Sequence, residues 1–164
     1  GRLILENVLA RRLRVLNEFQ LTDTTDRDPR LSYQGSLNWA MTEAWVLRLM
    51  IGLSREEPKF HSVSAAATLE HDWNQRWFVS VFGRYYKDNG EIDNPQLFNV
   101  AAPSLETIQI GAGVRWLGEQ WSARIVAGPY FTRYASVEAE IKPFEKLYRA
   151  RDWILAQASV SFSF

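Results

Sequence analysis

The sequence predicts an all-β protein, an antiparallel up-and-down transmembrane β-barrel of about eight strands. Apolar and polar residues alternate with a period of two in segments of roughly ten residues, the length that a tilted strand needs to cross a bilayer. The links between these segments are alternately short and long, and tryptophans cluster beside the short links. Short turns at one end and longer loops at the other are typical of transmembrane barrels.

The first four segments cover residues 12–22, 31–42, 45–54 and 62–70. In the first, Asn17 interrupts an otherwise apolar side. The second alternates without a break from Leu31 to Met41. The third sets large aliphatic residues against Arg48, and the fourth sets valine, alanine and leucine against small polar residues and Glu70. Successive side chains of a strand point to opposite faces, so each segment is expected to be a strand with one apolar face.

The last four segments cover residues 77–86, 107–116, 121–132 and 153–164. The fifth is partly aromatic on both faces because of Phe78 and Phe82. The sixth sets isoleucine and valine against glycines. The seventh contains Pro129 near its end, where a missing ladder hydrogen bond is best tolerated. The eighth runs to Phe164, and residues 1–11 fit either an N-terminal extension of the first strand or a short helix.

The lengths of the links predict the topology. Short periplasmic turns join residues 42–45, 70–77 and 117–121, whereas longer extracellular loops cover 23–30, 55–61, 87–106 and 133–149. With an even number of strands, both termini would lie at the short-turn end. We treat residues 1–164 as a single domain because no change of composition marks a linker.

Composition excludes several classes of protein. Lysine plus arginine and aspartate plus glutamate both number 19, so no net charge favours a nucleic-acid partner. The chain has no cysteine, which excludes disulfides and thiolate metal sites. The sequence has no run of about 18 apolar residues, so no membrane helix is predicted. We expect no cofactor, no metal and no nucleic-acid partner.

The chemistry of the polar face indicates which face meets lipid. All four lysines lie outside the strand segments, and the polar face consists of serine, glycine, threonine, glutamine and arginine. An arginine facing lipid at mid-bilayer costs roughly 2–4 kcal/mol, so the polar face should face the lumen. The predicted lumen charges are Arg14, Glu18, Arg48, Glu70, Arg84, Arg115, Arg124 and Arg151.

The aromatic residues predict two interfacial girdles, because tryptophan and tyrosine concentrate where the bilayer meets water. The periplasmic girdle, beside the short turns, comprises Trp39, Trp45, Trp73, Trp77, Trp116 and Trp121. The outer girdle comprises Tyr33, Tyr85, Phe131 and Tyr134.

The last seven residues, 158–164, resemble the closing strand of Gram-negative outer-membrane proteins. In these, a terminal aromatic residue after alternating apolar positions is the signal for the barrel-assembly machinery. Here that signal would be Val160, Phe162 and Phe164, and the resemblance implies that Phe164 is the natural C-terminus. In strand count the chain is similar to the OmpA transmembrane domain and OmpX. The resemblance implies a location in the bacterial outer membrane, with outer-membrane lipids and lipopolysaccharide as surroundings.

Three functions are compatible with this sequence. The first is a small barrel without catalysis, with a structural, surface-interaction or narrow-pore role. The second is the C-terminal wall of a larger transport or polymer-export barrel, whose arginine-rich lumen would favour an anionic solute or polymer. The third is a lipid-modifying hydrolase using His61 and Ser62 near the outer rim, although adjacent residues of a strand point to opposite faces. The edge strands could pair with each other or with further strands.

Overall fold

The chain forms one antiparallel sheet in a computed structural model that describes residues 1–24, 27–56, 60–90, 103–135 and 148–162. Within those residues nine strands lie in chain order, each hydrogen-bonded to its sequence neighbours. The strands are β1 Arg2–Ala10, β2 Leu13–Thr24, β3 Arg27–Ala40, β4 Trp45–Glu56, β5 Phe60–Asp72, β6 Trp77–Asp88, β7 Leu105–Leu117, β8 Trp121–Tyr134 and β9 Arg151–Phe162. The prediction of an all-β, antiparallel, up-and-down fold is confirmed. The described residues include no helix that is long and apolar enough to span a bilayer.

The sheet has one strand more than predicted. Residues assigned to an extension or a short helix form β1, which pairs with β2 from Arg2 opposite Gln20 to Ala10 opposite Leu13. The alternation did not identify this strand because Leu3 and Ile4, which are neighbours and point to opposite faces, are both apolar.

The prediction of a long loop is wrong at two of the four positions. Only residues 25–26 separate β2 from β3, and only residues 57–59 separate β4 from β5. The polar residues expected in these loops continue the ladder instead, with Thr22 opposite Arg30 and Arg30 opposite Glu56. Long links remain at 89–104 and 135–150, on what we call the long-link end. The opposite, short-turn end holds residues 11–12, 41–44, 73–76 and 118–120.

The ninth strand also changes the direction of the edges. Both β1 and β9 run from the long-link end to the short-turn end, so Gly1 lies at the long-link end and not, as predicted, beside the short turns. The two edge strands do not contact each other within the described residues, and the sheet is open.

The short turns are fixed by side chains that replace missing backbone partners. The Thr42 hydroxyl accepts hydrogen bonds from the backbone N–H groups of Ala44 and Trp45, at 3.2 and 3.1 Å. In the next turn, the Asn74 side-chain oxygen accepts hydrogen bonds from the N–H groups of Arg76 and Trp77, at 3.2 and 2.9 Å. These local bonds are typical of Ser/Thr and Asx turns, and each positions a tryptophan as the first residue of a strand.

Burial follows the strand alternation, but in the opposite sense to that of a water-soluble sheet. Along β5, residues of the polar face are half-buried while Val63, Ala65 and Ala67 are exposed. Among the described residues the one buried large apolar side chain is Phe82, and it lies on the polar face. Its buried companions are polar: Ser80, Thr107, Gln109 and Thr132. The central strands therefore shield their polar face and expose their apolar face, whereas the edge strands β1 and β9 are exposed on both faces.

Candidate functional site

The apolar face carries a row of tryptophans along the short-turn end. Five of the predicted girdle residues occupy the first or next-to-last position of a strand and share this face; we call them the tryptophan belt: Trp39, Trp45, Trp77, Trp116 and Trp121. Within the belt the ring centroids of Trp116 and Trp121 are 4.1 Å apart, and Trp77 is the ladder partner of Trp116. The sixth, Trp73, lies in the turn before β6.

The register shows how steeply the strands cross the belt. Successive ladder partners lead from Trp39 through Leu47, Leu69, Val81 and Ala112 to Ala127 on β8, which is six residues from Trp121. With a rise of about 3.3 Å per residue and about 4.8 Å between strands, six residues over five strand steps correspond to a tilt of about 40°. Strands of transmembrane barrels tilt by about 35–45°.

A charge-free band separates the belt from a row of charged residues on the same face. Arg55 is ten residues along β4 from Trp45, and the same separation is found between Trp77 and Lys87 on β6 and between Trp116 and Glu106 on β7. On β8 the separation, from Trp121 to Arg133, is twelve. Ten residues span about 33 Å along a strand, or about 25 Å in height after allowing for the tilt. We call the charged residues at the far side the charged rim: Arg55, Lys87, Glu106, Arg133 and Asp152.

Ion pairs connect neighbouring members of the charged rim. Lys87 lies 3.7 Å from Glu106, and Arg133 donates a hydrogen bond to the carboxylate of Asp152. This row of charged residues was not predicted from the sequence. The signal for this row was nevertheless present, since every member except Asp152 lies ten or twelve residues from the belt residue of its own strand.

The predicted outer aromatic girdle is only partly assembled. Tyr85 and Phe131 share the apolar face in the long-link half of their strands. Tyr33 lies at mid-strand, where its hydroxyl donates a hydrogen bond to Asn17 at 2.8 Å. Tyr134 has the alternation of the polar face, because it is three residues from Phe131, and it contacts Tyr148. Its position therefore lies off the face that Tyr85 and Phe131 share.

A groove of about 740 Å³ lies on the apolar face toward the long-link end. Its apolar part comprises Leu31, Tyr33, Leu53 and Val63, and its polar margin includes Arg55 and Lys87 of the charged rim, together with His61. The groove thus joins an aliphatic floor to basic groups at the level where the charge-free band ends.

The polar face collects all eight charges that the sequence analysis assigned to the lumen, as the ladder partners show. Four arginines on it lie at nearly one height, which we call the arginine collar: Arg14, Arg48, Arg115 and Arg124. Arg48, Arg115 and Arg124 are within three residues of the belt residue of their own strand. Strand β2 has no belt residue, and there Arg14 is next to Leu13, the ladder partner of Trp39. Three residues along a tilted strand amount to about 8 Å of height.

Glu70 joins two members of the collar. One of its carboxylate oxygens accepts hydrogen bonds from Arg48 and from Arg115, both at 3.1 Å. The Arg115 guanidinium also lies over the Phe78 ring, at 4.4 Å, and its buried Nε has no hydrogen-bond partner within the described part of the chain. The Arg115 guanidinium is therefore held on one face by Phe78 and at one end by Glu70.

Arg124 stands directly opposite Arg115 in the ladder between β7 and β8. Side chains opposite each other in a ladder share a face with their Cβ atoms about 4.5–5.5 Å apart, and like charges there repel. Neither Arg124 nor Arg14 forms an ion pair with another described residue. Asp72, also on this face near the turn, accepts a hydrogen bond from the Gln75 N–H at 2.5 Å.

The other charges of the polar face lie nearer the long-link end. Arg84 is seven residues from Trp77 and packs over the Phe82 ring, at 5.3 Å. Arg151 lies over the Trp153 ring, at 5.5 Å, eleven residues from the short-turn end of β9. Glu18 pairs with Arg2 of β1, at 2.6 Å. Arg30 and Glu56, which were predicted to lie in loops, form a further ion pair at 2.9 Å.

The structure does not bring together the residues of the hydrolase alternative. His61 is opposite Arg55 and Ser62 is opposite Ser54, so the two side chains lie on opposite faces of β5. Of the predicted assembly signal, Val160 and Phe162 are exposed on the apolar face of β9, whereas Phe164 lies outside the described residues. The described residues contain no cluster of histidine, aspartate and glutamate suited to a metal ion.

Comparison with known protein families, curated proteins and solved structures gave no match.

Proposed function

We propose that this chain is an integral outer-membrane protein whose sheet forms part of the wall of a water-filled β-barrel, and that its polar face lines a passage for anionic solutes or polymers. The observation that carries the proposal is the charge-free apolar band of about 25 Å between the tryptophan belt and the charged rim. The lipid-facing band of outer-membrane barrels is about 25 Å tall and has aromatic residues at its borders.

Lipid accounts for the exposed apolar face better than water does. Single exposed apolar residues are common on soluble proteins, but contiguous patches beyond a few hundred Å² mark an interaction surface. Here the exposed apolar residues run through every strand from β2 to β9. We infer that outer-membrane lipids cover this face. The groove beside Arg55 and Lys87 would take an acyl chain below an anionic headgroup, as lipopolysaccharide provides.

The open edges favour a wall over a barrel of nine strands closed on itself. Because β1 and β9 run in the same direction, joining them would create a parallel pair in an otherwise antiparallel sheet. Bacterial single-chain barrels have even numbers of antiparallel strands. A second copy in the same orientation would offer the same parallel pairing. If further strands that run from the short-turn end to the long-link end complete the barrel, the pairing stays antiparallel at both edges.

A wider barrel also accounts for the polar face. In an eight-stranded barrel the side chains just fill the interior, and buried charges are costly unless they are paired. Arg14 and Arg124, without ion-pair partners in the described strands, are better accommodated in a hydrated lumen. Lumen-facing arginines favour anions.

Single-channel recording of the protein, purified from membranes and inserted in planar bilayers, tests this function. We expect stable currents whose reversal potential under a salt gradient indicates anion selectivity. Unheated and heated samples on a denaturing gel provide the control that the inserted protein is folded. A folded, heat-modifiable protein that inserts but carries no current would defeat the pore role and support a closed barrel that acts through its loops.

A further inference from the structure

We propose that Arg115 and Arg124 form an oxyanion-binding site in the arginine collar, which takes a phosphate or carboxylate group of a solute in the passage. The inference rests on the proposed function, because it takes the polar face to be hydrated. It adds a specific anion-binding site, near the short-turn end, to the general positive charge of the proposed lumen.

The ladder places two positive charges where they repel each other. Arg115 and Arg124 are direct cross-strand partners, and such like-charged pairs are destabilising. The neighbouring ladder partners of Arg124 and Arg115 on the outer sides are Ser159 and Phe78, neither of which carries charge. An oxyanion between the two guanidinium groups would remove the repulsion.

Arg115 is already positioned for such a ligand. Glu70 holds its Nη2 at 3.1 Å and the Phe78 ring supports its plane, while Nη1 has no hydrogen-bond partner among the described residues. A fixed guanidinium offers paired N–H donors that match the geometry of phosphate and carboxylate. Glu70 is a positioning residue here. It orients Arg48 and Arg115, and its own negative charge would repel a bound anion.

The charge balance of the collar supports an anion rather than a cation. Four arginines lie at this height on the polar face, against Glu70, which two of them share, and Asp72, which is occupied by the turn. Arg84, on the same face but outside the collar, provides a matched control: it is also an arginine beside a phenylalanine ring, but it has Gln109 and Ala66 as ladder partners.

Titration calorimetry with inorganic phosphate at low ionic strength tests the site in the purified protein. We expect binding by the wild type, weakened roughly tenfold in Arg124→Gln, as for one lost charge-assisted contact. Arg84→Gln should bind as the wild type does, and Arg124→Lys, which keeps the charge without the planar donors, should be intermediate. Heat-modifiable gel mobility checks that each variant is folded. A parallel titration with acetate separates phosphate-bearing from carboxylate-bearing solutes.

Two results would overturn the site: no binding of either anion by the folded wild type, or equal weakening by Arg124→Gln and Arg84→Gln. Failure of the proposed function has a different signature. If phosphate binds as expected but the inserted protein carries no current, the pore is refuted and the site remains.

Discussion

The apolar and polar faces of this sheet are built on the same strands, yet they distribute charge in opposite ways. In the described strands β2 to β9, the apolar face has no charged residue between the tryptophan belt and the charged rim, whereas the polar face has four arginines just above the belt. A one-sided soluble sheet packs its apolar face on a core and leaves its polar face solvated. Here the apolar face is the more exposed one. The difference indicates two distinct surroundings rather than a core and one solvent.

Leu49 and Met50 of β4 give the sharpest test of this difference between the faces. They are neighbours on opposite faces with nearly equal exposure, 39% and 37%. Leu49 lies four residues from Trp45, close to the middle of the charge-free band. We expect Leu49→Arg to lower the free energy of unfolding by roughly 2–4 kcal/mol in lipid bilayers. The measurement is reversible denaturant unfolding of the protein in phospholipid vesicles.

Met50→Arg is the matched control, since it places the same charge at the same height on the polar face. It should change the free energy of unfolding by less than about 1 kcal/mol, as a solvated substitution does. Equal effects of the two variants would mean that both faces meet water, and the proposed membrane wall would be wrong.

A second prediction compares glycines on the two faces. Gly128 faces the polar side of β8, and a Cβ there would meet the backbone oxygen of Ile110 and the Cα of Gly111. We expect Gly128→Ala to destabilise the protein by about 1–3 kcal/mol, the usual cost of forcing extra volume into a packed region. Gly83→Ala, on the apolar face with open space around it, should be nearly neutral. Thermal midpoints of heat-modifiable mobility measure both; the reverse order would contradict the account of the enclosed polar face.

The smallest effect is expected at the charged rim. Lys87 and Glu106 are 3.7 Å apart, and both side chains are well exposed. Lys87→Gln should cost less than about 0.5 kcal/mol, because exposed ion pairs contribute little. The same unfolding assay applies. A loss comparable to that of Leu49→Arg would mean that Glu106 is left unpaired in lipid, and the lipid-facing band would then extend beyond the charged rim.

The faces could be predicted from the sequence because alternation alone decides which residues lie together. Arg48 and Leu49 must separate whatever the register, and all eight charges that were predicted to face a lumen lie on one face for this reason. The same rule could not identify β1, where Leu3 and Ile4 are both apolar. It also assigned Arg30 and Glu56 to loops, because a strand that continues beyond its apolar residues has the composition of a polar loop.

The height of the arginine collar required more than alternation. It depends on the ladder register and on the strand tilt, which neighbouring segments do not reveal in isolation. The spacing of one to three residues between Trp45 and Arg48, or between Trp116 and Arg115, was visible in the sequence. It acquired meaning only when the tryptophans themselves were found at one level.

The hydrogen bond between Tyr33 and Asn17 has a consequence for fidelity of assembly. A slip of one residue between β2 and β3 would expose arginine on the apolar face, but a slip of two would keep both faces intact. Stripes of leucine and valine offer little resistance to that error. The Tyr33 ring lies over Gly35, and Asn17 is opposite this glycine. A slip of two would carry Asn17 away from Gly35 and leave its amide without this partner in an apolar layer. One polar pair thus distinguishes the native alignment from its nearest competitor.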